Sequence, residues 1–405
     1  MAGGVPRPDP AVGAAGRARS GVGVIGAYAL LAMSTQLLWL TFAAITPESA
    51  RDLGVSQGAV GDLAVVNALM FVVLAIPAGR WLDRDYRATL AAGALFTALG
   101  AVVRALDPTS FAVVMAGQVI MSVGQPLVLT ATTKIAARHV GPEHQTTAIG
   151  IASGAQFLGI LVAVLTGAPL YDAGGLRAVL IANAAFSVVA AVAVLLSLRV
   201  PPLAEPPADT DRSMAWLRRD PVMWRMAALL FVGFGSYNAL ATWLDSLMTD
   251  FGHPGAAGNL IAVMTLAGVV GAAVLPGFVG ERDARRTHCL VATAALAAVA
   301  LVLIVAHGVV IGGVLLAGLG FLLLGTLPVV LEWAEVHVGP ARAGRATAFL
   351  LLAGNVGAVV VVLTVQVAID HPQLALGVLA AWSLPGLAFA LLLPRSTPTS
   401  APAAV

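Results

Sequence analysis

A nine-residue pattern that occurs twice constrains this chain more than any other feature of its sequence. The segments from Gly79 to Arg87 and from Gly277 to Arg285 share the pattern Gly-x-x-x-acid-Arg-Asp-x-Arg. They lie 198 residues apart in a chain of 405, and each follows one long apolar run and precedes another. The spacing predicts a chain made of two copies of one unit, joined head to tail.

The same offset of 198 residues recurs in other short segments. It relates His139–Pro142 to His337–Pro340, Asp52–Gly54 to Asp250–Gly252, and Lys134 to Glu332. Chance similarity among Gly- and Ala-rich segments does not place several matches at one offset. The duplication therefore extends beyond one loop.

Composition places these units in a membrane. Charged residues make up 10% of the chain and apolar residues 59%, with a mean hydropathy of +0.93, whereas soluble domains carry about 25% charged residues. The single cysteine, Cys289, excludes an internal disulfide and a thiolate metal cluster. We expect no cofactor, no metal and no nucleic-acid partner, and we expect a monomer in the bilayer.

Twelve segments are long and apolar enough to span a bilayer, which takes about 20 residues. They are 22–46, 58–79, 89–106, 111–133, 146–169, 177–198, 223–248, 256–279, 288–306, 309–331, 346–368 and 374–393. The predicted fold is an all-α integral membrane protein with two pseudo-symmetric six-helix bundles. Its parts are an N-terminal tail (1–21), a first bundle (22–199), a linker (200–222), a second bundle (223–393) and a C-terminal tail (394–405).

The distribution of basic residues orients the spans. One set of span ends carries 19 of the 22 arginines and lysines, and the other set carries only Arg51, Arg104 and Arg177. Because cytoplasmic loops collect Lys and Arg, we expect both tails and the linker to be cytoplasmic. The predicted location is the cell (inner or plasma) membrane.

The repeated loop suggests a latch on the cytoplasmic side. Gly79 and Gly277 permit close helix approach, and the acidic residues Asp83 and Glu281 are suited to rest on a helix N-terminus of the opposite half. Further charged residues that belong to this predicted latch are Arg84, Arg87, Arg282, Arg285, Lys134, Glu332 and Glu335. The alternative is a simple basic anchor at the membrane surface.

The middle of the spans carries amide and aromatic side chains rather than charges. Gln156 and Asn355 lie halfway along spans 5 and 11, and Trp39 and Tyr237 lie in spans 1 and 7. With Gln125 in span 4, they are the predicted substrate-binding residues. Aromatic faces without carboxylates favour a soft organic cation. For each residue the alternative is a packing role or, for a Trp or Tyr, an interfacial anchor.

The repeated loop and the six-plus-six layout resemble the major facilitator superfamily across residues 22–393. Tyr86 departs from that pattern, because the loop more usually has a glycine there. The resemblance implies rocker-switch transport of a small solute.

Several segments also resemble one branch, the feline leukaemia virus subgroup C receptor-related transporters. They are Gln36–Trp39, Gln125–Pro126 with 132–137, Gly154–Gly159, Ser236–Thr242 and 327–335. In that branch an aromatic residue in span 1, another in span 7 and amides in spans 5 and 11 form the site, which implies these roles for Trp39, Tyr237, Gln156 and Asn355. Members are associated with choline and ethanolamine, and by an older attribution with haem. Ala155 and Asn355 depart from the branch.

The sequence thus favours a facilitative transporter of a small organic cation and leaves two alternatives open. The first is a proton-driven efflux pump, for which Asp62 and Asp245 are the candidate proton carriers and a glycine-rich span 5 is a weak sign. The second is a membrane receptor that transports nothing. An enzyme is not expected, because no catalytic groups lie at mid-span.

Overall fold

A computed structural model describes residues 10–203, 213–253 and 255–395. The first residues of the predicted N-terminal tail, most of the linker, Pro254 and nearly all of the C-terminal tail lie outside the described residues. The side chains of residues 10–20 and of Asp245 lie outside them as well.

The described residues form fourteen α-helices and no strand. In chain order they are α1 (Pro10–Trp39), α2 (Thr46–Leu53), α3 (Gln57–Arg84), α4 (Tyr86–Leu106), α5 (Phe111–Leu129), α6 (Thr132–His139), α7 (Pro142–Ser197), α8 (Ala215–Arg218), α9 (Pro221–Asp250), α10 (Ala257–Glu281), α11 (Arg285–Val305), α12 (Val309–Val338), α13 (Ala343–Gln366) and α14 (Pro372–Leu392).

Eleven of these helices are long and apolar enough to cross a membrane. The longest, α7, has 56 residues and contains a break at Gly174 and Gly175, where the backbone leaves helical geometry and Gly175 has a φ of 67°. A β-carbon disfavours that conformation, so glycine suits it. The break divides α7 into two spans, and the described chain therefore has the twelve spans that the sequence predicts. The all-α membrane fold is confirmed.

Two helices end earlier than the apolar pattern predicts. The pattern extends span 1 to residue 46, but α1 ends at Trp39 and a separate helix, α2, begins at Thr46. At this end the Thr41 hydroxyl donates to the carbonyls of Leu37 and Leu38, and such side-chain bonds compete with helical ones. Span 4 is similarly divided between α5 and α6.

The N-terminal tail also differs from expectation, because α1 begins at Pro10 and not near residue 22. The segment is rich in alanine and arginine, which are strong helix formers. The helical register of the first span therefore continues toward the N-terminus.

The internal repeat is visible in the helix packing. Gly159 of α7 lies against the Met33 carbonyl of α1, and Gly357 of α13 lies against the Phe231 carbonyl of α9. Both members of the second pair are 198 residues after those of the first. In each half the absence of a side chain lets two helix backbones touch, as is common between membrane helices.

The two halves meet along α3, α7, α10 and α13. Large apolar side chains such as Val73, Leu165 and Val274 are exposed outside the cavity, where a bilayer would cover them. The halves are in contact at the arginine-rich ends of the helices and enclose a cavity above that contact.

Candidate functional site

A cavity of about 440 Å³ lies between the halves. Its wall comes from helices of both halves, among them α1, α3, α5, α7, α9, α12 and α13. It extends from the middle of the spans to Trp39, Thr242 and Leu363, which lie toward the helix ends opposite the arginine-rich loops. None of the residues that line it carries a formal charge, so its chemistry comes from amides, hydroxyls, rings and apolar side chains.

The five predicted substrate-binding residues all line this one cavity. Trp39 is the last residue of α1, and its indole Nε1 donates to the Ala64 carbonyl at 3.3 Å. Tyr237 is buried, its hydroxyl is hydrogen-bonded to Thr265 Oγ1 at 3.0 Å, and its ring lies edge-on to Phe157. Both aromatic residues have their polar atoms engaged, so they offer ring surface to a ligand.

The two pseudo-symmetric amides do not bond to each other. Asn355 Nδ2 donates to the Leu351 carbonyl of its own helix at 2.8 Å. Gln156 Nε2 is enclosed and has no hydrogen-bond partner in the described part of the chain. An enclosed amide without a partner costs free energy, which marks Gln156 as a group able to gain from a ligand.

Gln125 is joined to a residue that the sequence reasoning missed. Asn67 of α3 donates from Nδ2 to Gln125 Oε1 at 2.7 Å, and Asn67 Oδ1 has no partner within the described residues. The polar character of Asn67 inside an apolar span is a signal of the same kind as that of Gln156. Gln36 of α1 and Asn238 of α9 line the cavity too and were also missed as binding residues.

Arg104 was missed as well, and it lies behind the wall that carries Trp39. The pattern of basic residues assigns Arg104 to the outer loops, but its side chain in α4 is fully buried. Its Nη1 donates to the Leu38 carbonyl at 3.0 Å and to Gln118 Oε1 at 2.8 Å, and its guanidinium lies 5.0 Å from the centre of the Phe42 ring. A cation at the C-terminus of α1 is favoured by the helix dipole, and this one fixes the helix end beside Trp39.

At the arginine-rich ends, Asp83 is the centre of a contact between the halves. Its carboxylate accepts hydrogen bonds from Lys134 Nζ at 2.7 Å, from Arg345 Nε at 2.8 Å, and from the backbone N–H groups of Gly344 and Arg345 at 3.0 and 3.3 Å. Gly344 and Arg345 belong to the first turn of α13. Asp83 thus rests on a helix N-terminus of the opposite half, and the side chains of Asp83, Lys134 and Arg345 are 8%, 2% and 3% exposed.

Close backbone approach accompanies this contact. A β-carbon at Gly79 would lie 2.7 Å from Ala348 Cβ and 2.8 Å from the Gly344 carbonyl, whereas one at Gly277 would meet only Thr147 Oγ1 at 3.7 Å. The two glycines of the repeat are therefore not equivalent. Of these two glycines, only Gly79 lies where a β-carbon would clash with the opposite half.

The second copy of the loop uses a different pair. Arg285 binds Glu332 through two nitrogen–oxygen contacts of 2.7 Å, and Thr146 Oγ1 of the opposite half donates to Glu332 at 3.3 Å. In the first copy the loop contributes the acid and the neighbouring helix the base; in the second these roles are exchanged. Glu335, one turn further along α12, is buried, and its Oε1 has no partner within the described residues.

Glu281 does not take part, contrary to its predicted place in the latch. Its side chain is 80% exposed, and its nearest basic partner is Arg282, with a 4.0 Å nitrogen–oxygen separation. The reason is a difference between the residues at the equivalent position of the opposite half, which are Gly344 for the Asp83 loop and Thr146 for the Glu281 loop. A side chain at Gly344 would lie 2.6 Å from the Asp83 carboxylate, and the residue 198 positions before Gly344 is Thr146, which has such a side chain.

The remaining arginines of the two loops lie at the surface. Arg84 and Arg87 are exposed, and Arg282 lies over the Phe278 ring with its Cζ 3.8 Å from the ring centre. Tyr86, the departure from the usual loop, begins α4, where its hydroxyl is 2.6 Å from His139 Nε2. The preceding residue, Asp85, has extended backbone and caps α4, so the turn forms without glycine.

Burial changes the titration of two groups in the part of α6 that follows span 4, Lys134 and His139. It lowers the pKa of Lys134 from its ordinary value, an effect that Asp83 opposes. It also lowers the pKa of His139 to about 4, and the positive charges of Arg87 and Arg138 act in the same direction. His139 is therefore neutral at physiological pH.

Comparison with known proteins places this geometry in a family. The sequence pattern of the Major Facilitator Superfamily matches residues 24–362. Solute carrier family 49 member A3 of Danio rerio is 32% identical over 298 residues, which cover 67% of this chain and 62% of that protein. The chain thus spans less than two thirds of this relative.

A second relative and a solved structure extend the comparison. The human protein described as choline/ethanolamine transporter FLVCR2 is 25% identical over 381 residues, covering 86% of this chain and 72% of that protein. The crystal structure of the human organic anion transporter MFSD10 superimposes with a TM-score of 0.74 at 15% identity, covering 92% of this chain and 99% of that one. At that identity the superposition establishes the fold alone.

Proposed function

The chain is a membrane transporter of the major facilitator superfamily, and we propose that it carries a small organic cation of the choline or ethanolamine class. The observation that carries the proposal is the uncharged cavity, which combines the rings of Trp39 and Tyr237 with amides. A ring face attracts an organic cation through its quadrupole. A strong binder of anions needs a basic group at the ligand, and no lining residue supplies one.

The transport cycle that we propose is alternating access by rocking of the two halves about the cavity. The contacts of Asp83 with α13 keep the arginine-rich side closed while the cavity reaches the other side. If that side is cytoplasmic, as the positive-inside pattern predicts, this is an outward-facing state. Breaking the Asp83 contacts and closing the ends near Trp39 gives the inward-facing state.

Facilitated diffusion is the mode that the cavity favours, because none of the lining residues is an aspartate, a glutamate or a histidine. The resemblance to the choline/ethanolamine transporter supports the substrate class. It stands at 25% identity, and one of the two departures from the branch, Asn355, lies in the cavity wall. Transport has therefore to be measured on this chain.

The test is uptake of radiolabelled choline and ethanolamine into proteoliposomes, with and without a pH gradient. We expect saturable uptake that does not depend on the gradient and that Trp39→Ala and Gln156→Ala each strongly reduce. Matched controls are Trp81→Ala and Gln57→Ala, which remove the same residue types at exposed positions outside the cavity. Absence of uptake by folded, monodisperse protein would remove the cation proposal.

One observation favours a second candidate, a proton-coupled efflux pump. Glu335 is a buried carboxylate next to Glu332 at the closed end, and its Oε1 has no hydrogen-bond partner among the residues that the structure describes. A carboxylate that is enclosed in one state and hydrated in another is a proton carrier in principle. Under this candidate, transport follows an imposed pH gradient, and Glu335→Gln abolishes the coupling.

A further inference from the structure

Two arginines of different helices converge on the end of α14, on the arginine-rich side of the protein. Arg225 Nη1 of α9 donates to the Leu392 carbonyl, and Arg286 Nη2 of α11 donates to the Leu391 carbonyl, each at 2.7 Å. These carbonyls belong to the last two residues of α14. Both guanidinium groups therefore lie at one helix end, where the helix dipole favours a positive charge.

The repeated architecture does not demand this pair of arginines. The positions 198 residues earlier, in α1 and α4 of the first half, are occupied by Ala27 and Ala88. The last span of the first half, which is the second part of α7, has no basic residue in its last turn either. Capping of a helix end by two charges is thus a property of the second half alone, and it calls for a further reason.

The charges of Arg225 and Arg286 are not balanced by protein groups. No carboxylate of the described chain lies within 4.0 Å of either guanidinium group. Asp220, which caps α9, accepts from two backbone N–H groups and is 2.8 Å from His337 Nε2. The end of α14 contributes only about half a negative charge. Most of the two positive charges therefore remains for an anion.

Apolar side chains adjoin this pair of arginines. Leu384, Leu391 and Leu392 of α14 are each more than half exposed. So is Trp224, which precedes Arg225 and whose indole Nε1 donates to the Leu217 carbonyl at 3.0 Å. Tryptophan with an exposed ring is typical of the depth at which lipid headgroups meet acyl chains. The arginines thus lie at headgroup depth, next to a surface that suits acyl chains.

We propose that Arg225 and Arg286, at the end of α14, bind the phosphate of an anionic phospholipid. Basic pockets between membrane helices on the cytoplasmic side suit such headgroups, and a guanidinium group presents its N–H donors in a fork that matches a phosphate. The exposed leucines beside the arginines favour a lipid over a free phosphate ion. Neither arginine lines the central cavity, so the site does not depend on which solute is carried.

The test is binding of dioleoylphosphatidylglycerol to the purified full-length chain in detergent, measured by native mass spectrometry. Dioleoylphosphatidylcholine, which has the same acyl chains and no net charge, is the reference lipid. We expect the native chain to bind the anionic lipid more tightly than the reference. In the double variant Arg225→Gln with Arg286→Gln the affinity for the anionic lipid should fall about thirtyfold, since each basic residue near an anionic headgroup contributes about fivefold.

Three further variants separate charge from structure. The double variant Arg225→Lys with Arg286→Lys keeps both charges and should keep most of the affinity. Arg225→Gln alone leaves the bond of Arg286 to Leu391 in place, so it serves if the double glutamine variant fails to fold, and it should lose about fivefold. The matched control is Arg80→Gln with Arg199→Gln, which removes two exposed arginines at the same side of the membrane and should leave the affinity unchanged.

The remaining outcomes would overturn the proposal. Equal affinity of the native chain for the two lipids, or native affinity in both glutamine variants of the site, would exclude a headgroup site at α14. An equal loss in the control would show general attraction to a basic surface. Displacement of the bound lipid by millimolar inorganic phosphate would assign the arginines to a free anion instead of a lipid. None of these results bears on choline uptake, which tests the proposed function separately.

Discussion

Replacement of Asp83 by asparagine is expected to shift the transporter away from the state in which the arginine-rich side is closed. The carboxylate compensates two enclosed cations, Lys134 and Arg345, and its own side chain is 8% exposed. Removing one partner of a buried ion pair costs about 3–5 kcal/mol. We take a cost of about 3 kcal/mol, since asparagine keeps one oxygen that accepts hydrogen bonds.

That free energy applies mainly to the state in which the halves touch at Asp83. When they separate, water solvates Lys134 and Arg345, and the missing charge matters little. At about 1.4 kcal/mol for each factor of ten, the ratio of the two states changes by about a hundredfold in favour of the state open on the arginine-rich side. The free energy of unfolding falls by less than about 3 kcal/mol, because the folded protein can populate the open state, in which water solvates Lys134 and Arg345.

The assay is alkylation of a cysteine placed at Thr242, an exposed residue of the cavity wall toward the end opposite Asp83. The native Cys289 is buried and contributes little background. A membrane-impermeant maleimide added from that side should label Thr242→Cys rapidly in the native background and many times more slowly with Asp83→Asn. The control is Glu281→Gln, whose native side chain is 80% exposed and whose replacement should leave the rate unchanged.

The labelling rates are compared at equal folded fraction, measured by size-exclusion chromatography of each variant. If folded Asp83→Asn protein is labelled as fast as native protein, the carboxylate does not stabilise the closed contact and the argument is refuted. An equal slowing by Glu281→Gln would refute the asymmetry of the two loops.

Three further predictions concern packing and titration. Gly79→Ala should slow the same cysteine labelling, because its β-carbon has no room against α13 and overpacking costs about 1–3 kcal/mol. Gly277→Ala, whose β-carbon would have ordinary contact distances, should leave the labelling rate unchanged. Equal effects of the two substitutions would contradict the packing argument. Arg104→Met should weaken choline binding by displacement assay and lower the melting temperature, since the carbonyl at the end of α1 loses its donor; unchanged affinity would exclude a positioning role. For His139 the folded-state pKa of about 4 lies below the ordinary 6.5, so the unfolded chain binds the extra proton and stability should fall as the pH drops from 6.5 to 4. His139→Gln should reduce that acid sensitivity in melting curves, whereas His144→Gln at an exposed position should keep it.

The spans and the duplication were predictable because each depends on a local requirement. Backbone groups in hydrocarbon must be satisfied within a helix, and this makes a span an apolar run of fixed length that can be counted. The break at Gly174 and Gly175 falls where the sequence predicts a loop between spans 5 and 6. The early end of α1 at Trp39 was not predictable, because it depends on hydroxyl bonds to carbonyls rather than on hydropathy.

The candidate site was predictable in part. Trp39, Gln125, Gln156, Tyr237 and Asn355 do line one cavity, and their roles in binding remain predictions. Polar residues inside apolar spans are visible in any sequence. Which atoms of an amide stay free is not visible there, because it depends on neighbours on the same helix and on other helices.

The sequence by itself determined that this chain is a membrane protein of two related halves, since hydropathy and an offset of 198 residues are properties of the chain alone. Only the tertiary structure decided how the halves differ. Asp83 and Glu281 occupy the same place in the repeated loop, yet one binds the N-terminus of α13 and the other faces solvent. The difference arises at Gly344 and Thr146. Both lie far along the chain from the loops that they contact, and only tertiary packing brings them close. Gly344 has no β-carbon, and one placed there would lie 2.6 Å from the Asp83 carboxylate, whereas Thr146 has one.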